Sequence, residues 1–112
     1  MRKGDDTAMA ELPERRICRL GDTDVSYLAE GRGPAFLMIH GMLSNSVDFY
    51  FQFREFSNRF SCIAPDVSGC GCSHTNDPES CCIDRATEEM LDFIIETIPL
   101  DRRIVLLGHS FG

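Results

Sequence analysis

The residues Gly108-His109-Ser110-Phe111-Gly112 read G-x-S-x-G, the spacing that seats a serine on a sharp strand-to-helix turn with small residues two positions either side. A serine presented in this way attacks acyl carbons. Its hydroxyl is a weak nucleophile until a base takes the proton, so the chemistry requires an imidazole within hydrogen-bond reach and a third group to orient it. It also requires preorganised N–H donors where negative charge develops on a carbonyl oxygen; losing one such donor slows the reaction roughly 10²- to 10³-fold.

Three histidines are present: His40, His74 and His109. His109 adjoins the serine, and neighbouring side chains at a strand end point to opposite sides, which makes it a poor base for Ser110. Two other groups invite chemistry. Cys70, Cys72, His74, Cys81 and Cys82 offer thiolate and imidazole ligands to zinc, but they match neither paired C-x₂-C units nor an H-x₃₋₅-H pair, so no metal site is expected. Glu88, Glu89, Asp92 and Glu96 lie opposite an apolar helical stripe and read as a solvated face.

These residues need elements to position them. Ile17, Cys18 and Leu20 precede the turn signal Gly21-Asp22, and Val25, Tyr27 and Leu28 lead into Gly31-Arg32-Gly33-Pro34, a pattern of two strands in a hairpin. The unbroken apolar run from Ala35 to Ile39 suits a strand covered on both faces, as in a parallel sheet. Ser44 and Ser46 then read as helix caps with Asp48 in the first turn. Phe49, Phe53, Phe56 and Phe60 follow at helical spacing, which favours core packing over a ligand-binding aromatic cluster.

Residues 61–66 form a short strand. Ile83, Ala86, Met90, Leu91, Ile94 and Ile98 trace one face of a second helix, stopped by Pro99. Arg103 to Leu107 form the strand that enters the serine turn. The sum is α/β: about five strands, the first two in a hairpin and the rest parallel, with two helices. Residues 1–15 read as a flexible N-terminal segment and 16–112 as the folded domain.

Composition narrows the function classes. Of 112 residues, 43% are apolar and 26% charged, which fits one ordinary globular domain. The net charge of −7, with basic residues scattered, disfavours nucleic acid. No apolar run approaches a membrane span and no apolar stretch follows the charged N-terminus, so a cytoplasmic address is expected. The six cysteines accordingly read as free thiols.

Three strands end in marked sequences: Ile39 into His40-Gly41-Met42, Pro65 into Asp66-Val67-Ser68-Gly69-Cys70-Gly71-Cys72-Ser73, and Leu107 into the serine motif. In an open α/β sheet, ligands bind beyond such carboxyl ends. Taken together these resemble the α/β-hydrolase family, in which an H-G loop follows the third strand, D-x-x-G-x-G-x-S the fourth and G-x-S-x-G the fifth. The resemblance covers about residues 16–112.

It implies a serine hydrolase acting on a small-molecule ester or related acyl bond, with no cofactor. By the same resemblance Ser110 is the catalytic nucleophile, the backbone N–H groups of Met42 and Phe111 form the oxyanion hole, His40 has a structural place in the oxyanion loop, and Asp66 braces its own turn. A serine at this position also disfavours the family's dehalogenase and epoxide-hydrolase branches, which use aspartate there. The family's triad runs Ser, then Asp or Glu, then His, so residues 1–112 are expected to lack the acid and the base and to be inactive alone. The lid that selects substrate lies downstream in the family, which leaves the substrate open. The alternative is a non-catalytic binding protein of the same ancestry, associating through Ile104 to Leu107 as an exposed apolar edge.

Overall fold

A computed structural model of the chain describes residues 13–41, 44–67, 74–75, 83–99, 101–110 and 112. Strands β1 (Glu14–Leu20) and β2 (Thr23–Glu30) form an antiparallel hairpin whose register closes Leu20 on Thr23 across the turn Gly21-Asp22. β1 takes in Glu14 and Arg15, which the sequence pattern leaves in the N-terminal segment. After β3 (Ala35–Ile39), a 3₁₀ turn (Ser46–Phe49) runs directly into helix α1 (Tyr50–Phe56), followed by β4 (Ser61–Pro65). A two-residue strand, β5 (His74–Thr75), precedes helix α2 (Ile83–Thr97) and β6 (Ile104–Gly108).

The sheet order is β1-β2-β4-β3-β6, with β5 pairing β2 off this path. β3 pairs in parallel with β4 and β6, while β2 meets β4 antiparallel. The expected five-strand mixed sheet with two helices is therefore present, and β5 is an addition no sequence pattern announced.

Alternation along β3 explains how one strand serves two cores. Ala35 and Leu37 join Cys18, Val25, Ile63 and α2's Met90 and Phe93 on one face. Phe36 and Met38 join Leu28, Cys62, Ala64 and the α1-side residues Phe49 and Phe53 on the other. Side chains of period two, both sets buried, produce the unbroken apolar run. Edge-to-face rings lock the layers: Tyr27 meets Phe93 at a centroid distance of 5.1 Å, and Phe36 meets Phe56 at 5.5 Å and Phe60 at 5.6 Å. Phe60 contributes from beyond the end of α1, so the aromatic series is a core series although its helix is shorter than the spacing implied.

Two local expectations change. The helix cap is Asn45, whose side chain accepts from the Val47 N–H at 2.9 Å, because the helix opens with a 3₁₀ turn that moves its start to Ser46. The α2 face also rotates: Phe93 is fully buried, while Ile83 and Leu91 are 61% and 55% exposed. They turn instead toward an apolar groove of about 330 Å³ that also reaches Ile39, Ile94 and Leu106. β3 is the strand partner of β6, and the residues Ile104 to Leu107 are exposed.

Among the described residues no helix is long and apolar enough to cross a membrane. Nor do the described residues contain a group of three or more His, Cys, Asp or Glu placed to hold a metal ion. Cys70, Cys72, Cys81 and Cys82 lie outside the described residues. Cys18 and Cys62 are free and buried; burial pushes both thiols up, Cys62 to about 11 with a smaller contribution from Glu30.

Candidate active site

Parallel pairing brings the marked strand ends to one edge. Ile39 lies opposite Gly108 in the β3–β6 ladder, and Leu37 lies opposite Ile63 in the β3–β4 ladder, so His40-Gly41, Asp66-Val67 and His109-Ser110 emerge side by side. Three segments distant in sequence thus form one rim.

The serine turn has the geometry its glycines imply. Ser110 has φ of 59° and is the one non-glycine residue at positive φ among the described residues. Holding a non-glycine residue there costs about 1–3 kcal/mol, so surrounding contacts must impose it. They are visible: the His109 N–H donates to the Ile39 carbonyl at 3.1 Å, and the Gly112 N–H closes the turn on the His109 carbonyl at 3.1 Å. Any side chain at Gly108 would strike the Gly112 carbonyl, and one at Gly112 would strike the Ile39 and His40 carbonyls. Across the rim, Gly41 faces the turn so closely that a Cβ on it would sit 3.2 Å from the Ser110 Cβ and 3.1 Å from the His109 oxygen. A backbone edge, free of side chain, therefore borders the serine.

His40 is buried, at 1% exposure, and both ring nitrogens are occupied. Nε2 accepts from the Val67 N–H at 3.0 Å, and Nδ1 lies 2.7 Å from the Gly41 carbonyl. A carbonyl only accepts, so the bonding assigns the ring proton to Nδ1. A ring spent in this way ties the end of β3 to the end of β4 and has no nitrogen left to take a proton from Ser110. His109 lies on the rim beside Gly41. His74 lies in β5, paired with Asp24 of β2.

Asp66 is fully buried, and its carboxylate bonds residues of two other segments. Oδ1 accepts from the Ser46 N–H at 2.7 Å, and Oδ2 accepts from Arg15 Nη1 at 2.9 Å. The same guanidinium reaches Ser26 Oγ at 2.8 Å and Ser46 Oγ at 3.3 Å, and the Asp66 N–H bonds the Ser26 carbonyl at 2.8 Å. A buried carboxylate is tolerable only with such pairing and hydrogen bonding. Sequence reasoning missed Arg15 and Ser46. Neither belongs to a motif, and the one available signal was an aspartate at the end of an apolar strand. Met42, Phe111 and residues 68–73 lie outside the described residues.

Comparison with known proteins agrees with this architecture. The sequence profile of the alpha/beta hydrolase fold matches residues 34–112. An uncharacterised protein of Mycobacterium tuberculosis is 32% identical over 82 residues, covering 73% of this chain and 23% of that protein. The 2-(acetamidomethylene)succinate hydrolase of Mesorhizobium japonicum is 32% identical over 107 residues, covering 96% of this chain and 37% of the enzyme. Among solved structures, E-2-(acetamidomethylene)succinate hydrolase superimposes with a TM-score of 0.74 at 28% identity, over 87% of this chain and 35% of that one. The chain thus spans 23% to 37% of the length of these two curated relatives. Strand order, serine turn and profile match converge: the chain belongs to the α/β-hydrolase fold family and corresponds to its N-terminal part.

Proposed function

We propose that residues 1–112 are the N-terminal part of a serine hydrolase that cleaves carboxylic ester or related acyl bonds, with Ser110 as nucleophile. The observation that carries this reading is the left-handed Ser110, at φ 59° on the end of a parallel strand and bordered by Gly41. In this reading the Met42 and Phe111 N–H groups, each following a residue on the rim, supply the oxyanion hole. The acid and the base follow the serine in the complete protein, as the order Ser, Asp or Glu, His requires. Neither His40 nor His109 is read as that base: His40 has both ring nitrogens engaged, and His109 is the serine's own neighbour at a strand end, where adjacent side chains point to opposite sides. The substrate is a small ester or acyl compound, a class to which the M. japonicum relative's 2-(acetamidomethylene)succinate also belongs. A cytoplasmic address accords with the free thiols Cys18 and Cys62.

The test is turnover of p-nitrophenyl acetate and labelling by a fluorophosphonate probe. The full-length gene product is expected to do both, Ser110→Ala neither, and residues 1–112 alone to show no turnover. Turnover surviving Ser110→Ala overturns the assignment. One observation favours the binding-protein alternative: Ile104 to Leu107 are exposed, on a strand whose one partner among the described residues is β3. A full-length product that labels and turns over rejects it.

A further inference from the structure

We infer that Arg15 and Asp66 are positioning residues for the loop that borders the nucleophile, an inference that rests on Ser110 acting as proposed above. The loop from His40 to Ser46 leaves β3 and enters the 3₁₀ turn. Two consecutive residues at the end of β4 hold both of its ends. Val67 donates its N–H to His40 Nε2 at 3.0 Å, and Asp66 accepts the Ser46 N–H at 2.7 Å. Between these two anchors lies Gly41, whose backbone edge faces Ser110.

Arg15 completes the clamp from β1. Its Nη1 meets the Asp66 carboxylate at 2.9 Å while Nη2 reaches the Ser46 hydroxyl at 3.3 Å, so one guanidinium bonds both partners of the far anchor. Charge-assisted bonds are shorter and stronger than neutral ones, and the planar fork fixes direction as well as distance. The carboxylate is fully buried whereas the Arg15 side chain is 32% exposed, which leaves the anchor screened from water on the carboxylate side. Neither residue touches the reacting atoms. Their effect passes through the backbone of the loop, where a displacement well under a bond length misaims an oxyanion donor.

The experiment uses the full-length gene product with p-nitrophenyl acetate, active sites being counted by the fluorophosphonate burst. Expressed per titrated site, Asp66→Ala is expected to lower kcat roughly 10- to 100-fold, a fraction of what losing a whole oxyanion donor does, with KM within about twofold. Asp66→Asn keeps an acceptor for the Ser46 N–H and is expected to fall between Asp66→Ala and the parent. Arg15→Met should lower kcat less than Asp66→Ala, and Arg15→Lys should recover part of that loss. Arg19→Met, which removes an exposed ion pair with Asp24 on the same hairpin, is the control and leaves kcat unchanged.

A purely structural role has a different signature: fewer titratable sites, each with parental kcat. That result in Asp66→Asn and Arg15→Met overturns the inference while leaving the nucleophile assignment intact. Turnover by Ser110→Ala overturns both, so the two failures are distinguishable.

Discussion

β3 and β6 have the same kind of sequence and opposite surroundings. Ala35-Phe36-Leu37-Met38-Ile39 is buried along nearly its whole length, with strands on both edges and a core cluster on each face. Ile104-Val105-Leu106-Leu107-Gly108 is exposed throughout, with β3 on one edge. An unbroken apolar run states what a strand requires, namely cover on both faces, and the cover itself comes from other elements. The serine turn sits on the less supported of the two strands. Its strain is held chiefly by the Ile39 carbonyl, the Gly41 backbone and the turn's own closing bond.

That contrast yields measurements that break or sharpen it. The largest effect belongs to β3: in urea unfolding of residues 1–112, Leu37→Ala is expected to cost about 2–5 kcal/mol, because the side chain is fully buried and its cavity cannot collapse fully. A loss below about 1 kcal/mol would mean that the two-sided core does not stabilise the chain. Hydrogen exchange should show the same division. The amides that β3 donates to β4 are expected to exchange only through global opening, and those of β6 through local opening at least about tenfold faster. Equal protection would show that β6 is as firmly held as the centre.

A smaller effect is expected at alkaline pH. The Cys62 thiol, fully buried between β2 and β3 on β4, is raised from 9.0 to about 11 by burial first and Glu30 second. In the unfolded chain the thiol ionises near 9, while in the folded chain it stays neutral, so the contribution is complete below pH 9 and is lost as pH rises from 9 toward 11. Cys62→Ala should flatten the stability curve over that window; an unchanged slope would place its cause elsewhere. The smallest effect falls on the edge. Leu106→Ala, at 63% exposure, should change stability by no more than about 0.5 kcal/mol. A loss comparable to that of Leu37→Ala would erase the difference between the two strands.

Much of the architecture was legible in the chain because it rests on local patterns. Alternation and turn residues announced the β1–β2 hairpin, the Ala35 to Ile39 run announced a strand covered twice, and three strand-end motifs announced a shared rim. The phase of α2 was less legible. Ile83, Leu91 and Phe93 all suit an amphipathic helix, and the core of Val25, Leu37 and Ile63 with the Tyr27 ring at 5.1 Å takes Phe93, while Ile83 and Leu91 line the groove. The long-range partners of Asp66 were not legible: its carboxylate holds Ser46, twenty residues earlier, together with Arg15, fifty-one residues earlier.

The sequence by itself determined the α/β class, the family and the position of the serine turn, because glycine spacing and strand periodicity act over a few residues and survive in the order of letters. Only the tertiary structure decided which groups hold that place. Hydrogen bonds from Val67 to His40 and from Arg15 to Asp66 and Ser46 depend on distances across the sheet, and such distances exist only once parallel pairing has brought the strand ends to one edge.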